Sequence, residues 1–213
     1  ESLYRLNPDG TLDTSFGYQG RIVVPQLYDE LGIVLLEDDE LVVASQAQGF
    51  SLVRLSRDGL PDQSFAENGL LPVTHPNFEG FQYDRVNRFQ MAANAAGGIL
   101  VHATALDSRR EVPVLLQYTA EGALDEAFGT GGAAEIPFRG EIAIDDEGRI
   151  LLARSARSND WELQIERLMA DGSLDSSFTP RIPGLTRIEF HVPIGADILS
   201  VTGLLRLHVD PGG

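Results

Sequence analysis

The sequence predicts an all-β protein built from repeated four-stranded units. A motif of the type Asp-Gly-x-Leu-Asp-x-x-Phe recurs four times with small changes. Between its copies, a second pattern recurs, in which two short apolar runs flank an acidic or glycine-rich turn. No segment carries a sustained helical period. Such a repeat indicates one supersecondary unit that is stacked or arranged in a ring, because a single unit cannot bury its own apolar face.

The copies of the motif mark turns between pairs of strands. They occupy residues 9–16, 58–65, 121–128 and 171–178. Each copy follows a short apolar run, and the first three also precede one, which is the pattern of two strands joined by a turn. The glycine supplies the positive φ that such a turn needs, and the aspartates cap local N–H groups.

The second pattern predicts β-hairpins. Their ranges are 33–45, 89–104, 142–155 and 188–201. Each repeat then supplies four strands, which we call A and B in the hairpin and C and D on either side of the Asp-Gly turn. Four strands in roughly 50 residues match one blade of a β-propeller.

The order of the strands predicts four blades closed by the N- and C-terminal strands. The chain begins with strands C and D and ends with an A–B hairpin, so that the two pieces complete one blade and remove open sheet edges. We predict a single propeller domain over 1–213, with repeats near 1–31, 32–86, 87–140 and 141–213. The run 204–207 looks like a further strand C, which leaves open an added edge strand, a larger ring or pairing between subunits.

The first copy reads Arg-Leu-Asn-Pro-Asp-Gly-Thr-Leu-Asp-Thr-Ser-Phe-Gly over residues 5–17 and continues to Gly20. It closely resembles the delta-60 repeat of bacterial propeller proteins of unknown function, and the resemblance extends over all four repeats. The third copy departs from the pattern, with Gln117 for the arginine and Glu121 for the aspartate. The resemblance implies a propeller of an exported or surface protein, and it implies no established activity and no catalytic residues.

Charge and composition exclude several classes of partner. The formal net charge is −16, from 32 acidic residues and 16 arginines, and this disfavours nucleic acid and anionic membranes. The 213 residues include no cysteine, so disulfide and thiol chemistry are excluded. No stretch approaches the ~20 apolar residues of a membrane span. We expect no nucleic-acid partner and no membrane insertion.

The motifs predict neither a catalytic site nor a cofactor or metal site. A calcium loop of the EF-hand type needs a bidentate glutamate at its twelfth position, which all four copies of the motif lack. The four histidines have no metal-ligand spacing. We expect a structural motif, in which Arg5, Arg54 and Arg167 pair with the aspartates. The motif phenylalanines would anchor the turns, namely Phe16, Phe65, Phe128 and Phe178.

Loops that depart from a repeat are where a scaffold hosts function. The atypical segments here are the D–A loop 74–88 and the B–C loops 106–113 and 155–161, which share one face of a propeller. They contain the aromatic and arginine side chains typical of binding hot spots. The candidates are His75, Phe78, Phe81, Tyr83, Arg109, Arg110, Arg157 and Trp161. The structural alternative is that Phe78, Phe81 and Trp161 pack over the blade ends.

The function that this pattern predicts is a non-enzymatic binding module, exported or surface-associated, that recognises a protein or a glycan through this face. Two alternatives stay open. One is an acidic inhibitor or immunity-type protein directed against a basic partner. The other is a hydrolase or lyase that uses a pair of carboxylates in the propeller channel. A structural role as one segment of a longer repeat protein also fits.

Overall fold

The structure is a computed structural model that describes residues 2–23, 32–36, 39–45, 50–82, 90–107, 110–157 and 161–179. These residues contain fourteen β-strands, and all their strand pairings are antiparallel. In the same ranges no helix is long and apolar enough to cross a membrane. The chain divides into two compact units, Glu1–Arg139 and Gly140–Gly213.

The first unit begins with a sheet of two strands and a sheet of four. Sheet 1 pairs β1 (Ser2–Tyr4) with β2 (Arg21–Val23), which are the predicted strands C and D of the first repeat. Sheet 2 has the order β3-β4-β5-β6. Its strands are β3 (Ile33–Leu35), β4 (Leu41–Ser45), β5 (Ser51–Leu55) and β6 (Leu70–Pro72). Sheet 2 therefore has the predicted A-B-C-D order of a propeller blade.

Sheet 3 repeats this arrangement with one additional strand. Its strands are β7 (Gly80–Gln82), β8 (Gln90–Ala93), β9 (Ile99–Asp107), β10 (Arg110–Tyr118) and β11 (Ala133–Glu135). Both β8 and β7 pair with β9, β8 along residues 99–102 and β7 along residues 104–106. The strand β7 is the addition, because β8 to β11 already supply strands A to D.

The second unit contains sheet 4, with the order β12-β13-β14. These strands are β12 (Glu141–Ile144), β13 (Ile150–Arg157) and β14 (Trp161–Leu168). They correspond to the predicted strands A, B and C. The predicted hairpin 188–201 and the run 204–207 lie outside the described residues.

The packing of the first unit explains why its strands have continuous apolar sequences. Val42 and Leu52 of sheet 2 belong to one buried cluster with Val101 and Leu116 of sheet 3. Alternate residues of the same strands, among them Val53, point the other way and pack against partly buried side chains of sheet 1. Sheet 2 is thus buried on both faces, and a strand buried on both faces loses the polar half of its alternation.

Three of the predicted loops are wrong in extent. The loop 74–88 contains strand β7, and the B–C loops 106–113 and 155–161 are the ends of long hairpins. Only residues 108–109 separate β9 from β10, and only residues 158–160 separate β13 from β14. The polar side chains of these segments suggested loops. In an antiparallel hairpin, however, the backbone groups form hydrogen bonds between the strands even where the side chains are polar and face solvent.

Candidate binding surface

The motif arginines, aspartates and phenylalanines form one cluster in the first, second and fourth repeats, as predicted. In the first repeat Arg5 Nε lies 2.8 Å from Asp13 Oδ2, and its guanidinium lies 4.6 Å from the centre of the Phe16 ring. The same pairs recur between Arg54 and Asp62 at 3.2 Å, and between Arg167 and Asp175 at 2.6 Å. The first three motif phenylalanines are buried, and Phe178 is half-buried.

The turn that carries each cluster is held by its aspartates. In the first, second and fourth motifs the second carboxylate accepts two hydrogen bonds from the serine two positions later, such as the Ser177 N–H and hydroxyl on Asp175 Oδ1 at 2.9 and 2.6 Å. The Ser177 hydroxyl, followed by Arg167, lowers the pKa of Asp175 to about 2. Ser64 and Arg54 likewise lower the pKa of Asp62. These carboxylates are occupied within the turn, which makes the motif a structural device.

Contacts between successive turns link the repeats of the first unit. The N–H after the motif phenylalanine donates to the carbonyl at the start of the next motif, from Gly17 to Asp58 and from Ala66 to Glu121, both at 2.8 Å. The motif arginine makes a second link. Arg54 Nη1 donates to the carbonyl of Ala120 at 2.6 Å, while its Nε faces Asp62.

The third repeat departs from this arrangement where its sequence departs from the motif. Gln117 replaces the arginine and is buried, and its side-chain amide donates to the carbonyl of Tyr118 at 3.2 Å. The Tyr118 hydroxyl is buried without a hydrogen-bond partner among the described residues, and burial raises the pKa of that phenol. A glutamine is too short and carries no charge, so it cannot reproduce the bridging of an arginine.

Three of the predicted binding residues form one aromatic cluster. The ring centres of His75 and Phe78 are 5.1 Å apart, and those of Phe78 and Phe81 are 5.8 Å apart with an edge-on geometry. His75 is buried; its Nδ1 accepts from the Asn77 N–H at 3.2 Å and its Nε2 lies 3.0 Å from the carbonyl of Gly131. Since Nδ1 accepts, Nε2 carries the proton and donates. Phe78 and Phe81 are partly buried against the core, as in the structural alternative.

Arg110 lies on the same face of sheet 3 as this cluster. Phe81 and Val112 are both cross-strand partners of Ala105, and Arg110 is two residues before Val112. Because side chains alternate along a strand, these residues share one face. Arg110 sits at the tip of the hairpin, where its Nη2 is 3.4 Å from Glu135 Oε1 in an exposed ion pair.

The remaining four candidates fall in two groups. Arg157 and Trp161 are cross-strand partners at the end of the β13–β14 hairpin in the second unit. Tyr83 and Arg109 lie outside the described residues. The structure thus brings together His75, Phe78 and Phe81, and separately Arg157 and Trp161.

A groove that sequence reasoning missed lies at the other end of sheets 2 and 3. It measures about 560 Å³ and is bounded by turns and strand ends. Its lining comprises Leu35, Leu36, Arg54, Ala93–Gly97 and Ala120. The feature of the sequence that could have indicated this groove is the A–B turn of sheet 3. It reads Asn-Ala-Ala-Gly-Gly, whereas the other described A–B turns are acidic. Among the described residues, no group of three His, Cys, Asp or Glu side chains has the geometry of a metal site.

Comparison with known families supports a propeller. Residues 2–16 and 148–178 match the model of a family described as a domain of unknown function (DUF5122) beta-propeller. The matched stretches contain the first and fourth motif copies, and together they cover less than a quarter of the chain. No curated protein matches the chain. The prediction of a β-propeller repeat is thereby supported, while the delta-60 name stays a prediction.

Proposed function

We propose that the protein is a non-enzymatic binding module that recognises a protein or glycan partner through the ends of its long hairpins. The observation that carries the proposal is their length. The β9–β10 hairpin pairs nine residues in each strand, whereas β4 and β5 of sheet 2 pair five. The extension carries Arg110 at its tip and is supported by the added strand β7. An extension that breaks the repeat and displays an arginine is typical of a binding site on a repeat scaffold.

The aromatic cluster has a defined part in this proposal. His75 connects the segment before β7 to the turn at Gly131, 56 residues away, through the hydrogen bond from its Nε2. Phe78 and Phe81 then cover the end of the core beside the extended hairpin. We assign them the role of positioning the hairpin and of supplying apolar contact area with their exposed edges. Arg110 supplies the polar contact, with Glu135 holding its guanidinium in place.

The proposed scaffold is four blades closed between the first and last repeats. This closure is supported by the apolar side chains of the first repeat that are exposed to solvent. Leu6 is 61% exposed, whereas its equivalents Leu55 and Leu168, which pair with a strand B, are each 2% exposed. Tyr4 is also exposed, although its equivalents Val53 and Leu116 are buried. We propose that the hairpin predicted at 188–201 covers these side chains and pairs with β1.

Amide hydrogen exchange tests this closure. We expect slow exchange of the β1 amides in the full chain and fast exchange in a chain ending at Thr179. The amides of β5, which lie inside sheet 2, serve as the internal control and should exchange slowly in both chains. Fast exchange of β1 in both would mean that the edge is unpaired and that the closure is wrong.

The binding surface is tested by affinity capture from the native source. The test variant combines Arg110→Ala, Trp161→Ala and Phe81→Leu, where leucine preserves much of the packing that Phe81 makes against the core. The control variant is Arg57→Ala, which removes an exposed arginine at the opposite end of the sheets. We expect a partner retained by the wild type and by the control, and lost from the triple variant.

Urea unfolding of all three proteins shows whether the variants are folded equally. A partner that is retained by a well-folded triple variant would overturn the assignment of this surface. An empty capture with the wild type would overturn the proposal of a macromolecular partner in that source.

A further inference from the structure

A second binding site is indicated at the end of sheets 2 and 3 opposite the hairpin tips. The groove described above lies between the A–B turns of these sheets and the Asp-Gly turn of the third repeat. The two surfaces lie at opposite ends of strand β9. Its first residue, Ile99, follows the A–B turn at the groove, and its last residue, Asp107, lies at the hairpin tip. The groove is therefore independent of the surface in the proposed function.

The side chains of the groove that are not engaged in polar contacts favour an apolar ligand group. Leu35 is 62% exposed, Leu36 lies buried behind it, and four alanines line the remainder together with Gly97. The polar side chains are already engaged. Arg54 contacts Glu40, Asp62 and the carbonyl of Ala120, and Asn94 accepts hydrogen bonds from the N–H groups of Ala96 and Gly98. An anionic ligand would have to displace these partners of Arg54, so the groove is not suited to an anion.

The surroundings of the groove favour a cationic partner. The described turns 7–15, 39–40, 56–64 and 119–127 carry nine carboxylates, of which four pair with Arg5, Arg54 or Arg57. Two of these turns, 39–40 and 119–127, adjoin the groove. Hydrogen bonds join the motif turns in sequence, Glu40 binds Arg54 in the groove wall, and Glu121 directly follows Ala120. Carboxylates thus lie beside a groove whose unengaged side chains are apolar, and complementary charge speeds and orients the association of a basic partner.

We propose that this groove binds an extended segment of a basic protein, in which one apolar side chain enters the groove and flanking arginines or lysines face the carboxylates. The A–B turn of sheet 3 permits this, because Ala95 and Ala96 stand where the turn of sheet 2 has acidic residues. Acidic side chains at those two positions would make the depression itself polar. The apolar contact selects the segment, and the carboxylates attract it.

Two peptide probes of equal charge test the proposal. They are labelled Arg-Arg-Leu-Arg-Arg and Arg-Arg-Ser-Arg-Arg, both capped at their ends, with binding measured by fluorescence anisotropy at low salt. We expect the leucine peptide to bind the wild type about tenfold more tightly, which is the effect of burying most of one leucine side chain. Equal affinity for the two peptides, or no binding of either, would overturn the proposal.

Two matched variants locate the site. Leu35→Arg changes a groove residue, and Leu60→Arg changes a leucine that is 61% exposed, lies on an adjacent turn and does not line the groove. Both add one positive charge, so general electrostatic weakening is the same in each. We expect the tenfold preference for the leucine peptide to vanish in Leu35→Arg and to persist in Leu60→Arg. Loss of the preference in both variants, or in neither, would show that the groove is not the site.

Discussion

The ring of Phe65 lies directly against the α-carbon of Gly122 in the next repeat. A β-carbon built on Gly122 would lie 3.0 Å from Phe65 Cε2, and Gly59 has the same relationship to Phe16 of the first repeat. The glycine of each of these motifs therefore has two roles. It adopts a φ of +79° to +84°, which side chains disfavour, and it leaves room for the phenylalanine of the preceding repeat.

The close approach at Gly122 predicts an unequal cost for two identical substitutions. Gly10 has the same positive φ as Gly122, but nothing lies within 4 Å of a β-carbon built on it. Gly10→Ala should cost about 1 kcal/mol of stability from backbone strain alone. Gly122→Ala should cost about 1–3 kcal/mol more, because the Phe65 ring and the Ala66 β-carbon must both move. Urea unfolding measures both, and equal losses would mean that the contacts with Phe65 and Ala66 have no effect.

The bridging by Arg54 predicts that lysine cannot replace it. Arg54 faces Asp62 with Nε and donates to the Ala120 carbonyl with Nη1, and a lysine ammonium cannot span both. We expect Arg54→Lys to destabilise the protein by about 1.5–3 kcal/mol, the range for a lost hydrogen bond to a charged group. Arg57→Lys, at an exposed ion pair with Asp39, should change stability by less than about 0.5 kcal/mol. Similar unfolding midpoints for the two variants would contradict the bridge.

The unpartnered hydroxyl of Tyr118 predicts a stabilising substitution. Tyr118→Phe removes a buried polar group that has no hydrogen-bond partner among the described residues and keeps the ring in the core. We expect the free energy of unfolding to rise by up to about 1–3 kcal/mol, the penalty for burying such a group. A loss of stability in thermal or urea unfolding would show that the hydroxyl is satisfied.

The lowered pKa of Asp175 predicts the direction of the pH dependence. The folded protein holds this pKa at about 2, below the ~3.9 of an unfolded aspartate. The stabilisation is therefore fully present above pH ~4 and is lost as the pH falls toward 2. Ser177→Ala removes the largest cause of the shift, so the pKa should rise and stability should become less sensitive to pH over this interval. NMR titration of Asp175 in the two proteins measures the shift, and an unchanged pKa would contradict the assigned cause.

The contacts within one repeat could be predicted from the sequence. The strands, the turn glycines and the pairs from Arg5 to Asp13 and from Arg54 to Asp62 all follow from local spacing. Contacts between repeats were not predictable in this way, because the link from Arg54 to Ala120 depends on how two sheets are placed side by side. The same reason applies to His75, whose hydrogen bond to Gly131 joins segments far apart in the chain.

The extent of the long hairpins was also not predictable. Residues 106–113 include Asp107, Arg110 and Glu111, whose polarity is typical of a loop. Their backbone groups nevertheless continue the ladder to the pair Arg110 and Asp107. Side-chain polarity reports exposure, and an exposed hairpin tip has the same composition as a loop.

The most direct test of the account is a photo-crosslinking comparison between the two ends of sheet 3. A photoreactive amino acid replaces Arg110 at the hairpin tip in one protein and Arg57 at the Asp-Gly turn in another, and each is irradiated in extract from the native source. We expect the partner captured by the wild type to crosslink from position 110 and not from position 57. Crosslinking of that partner from position 57 alone would contradict recognition through the long hairpins.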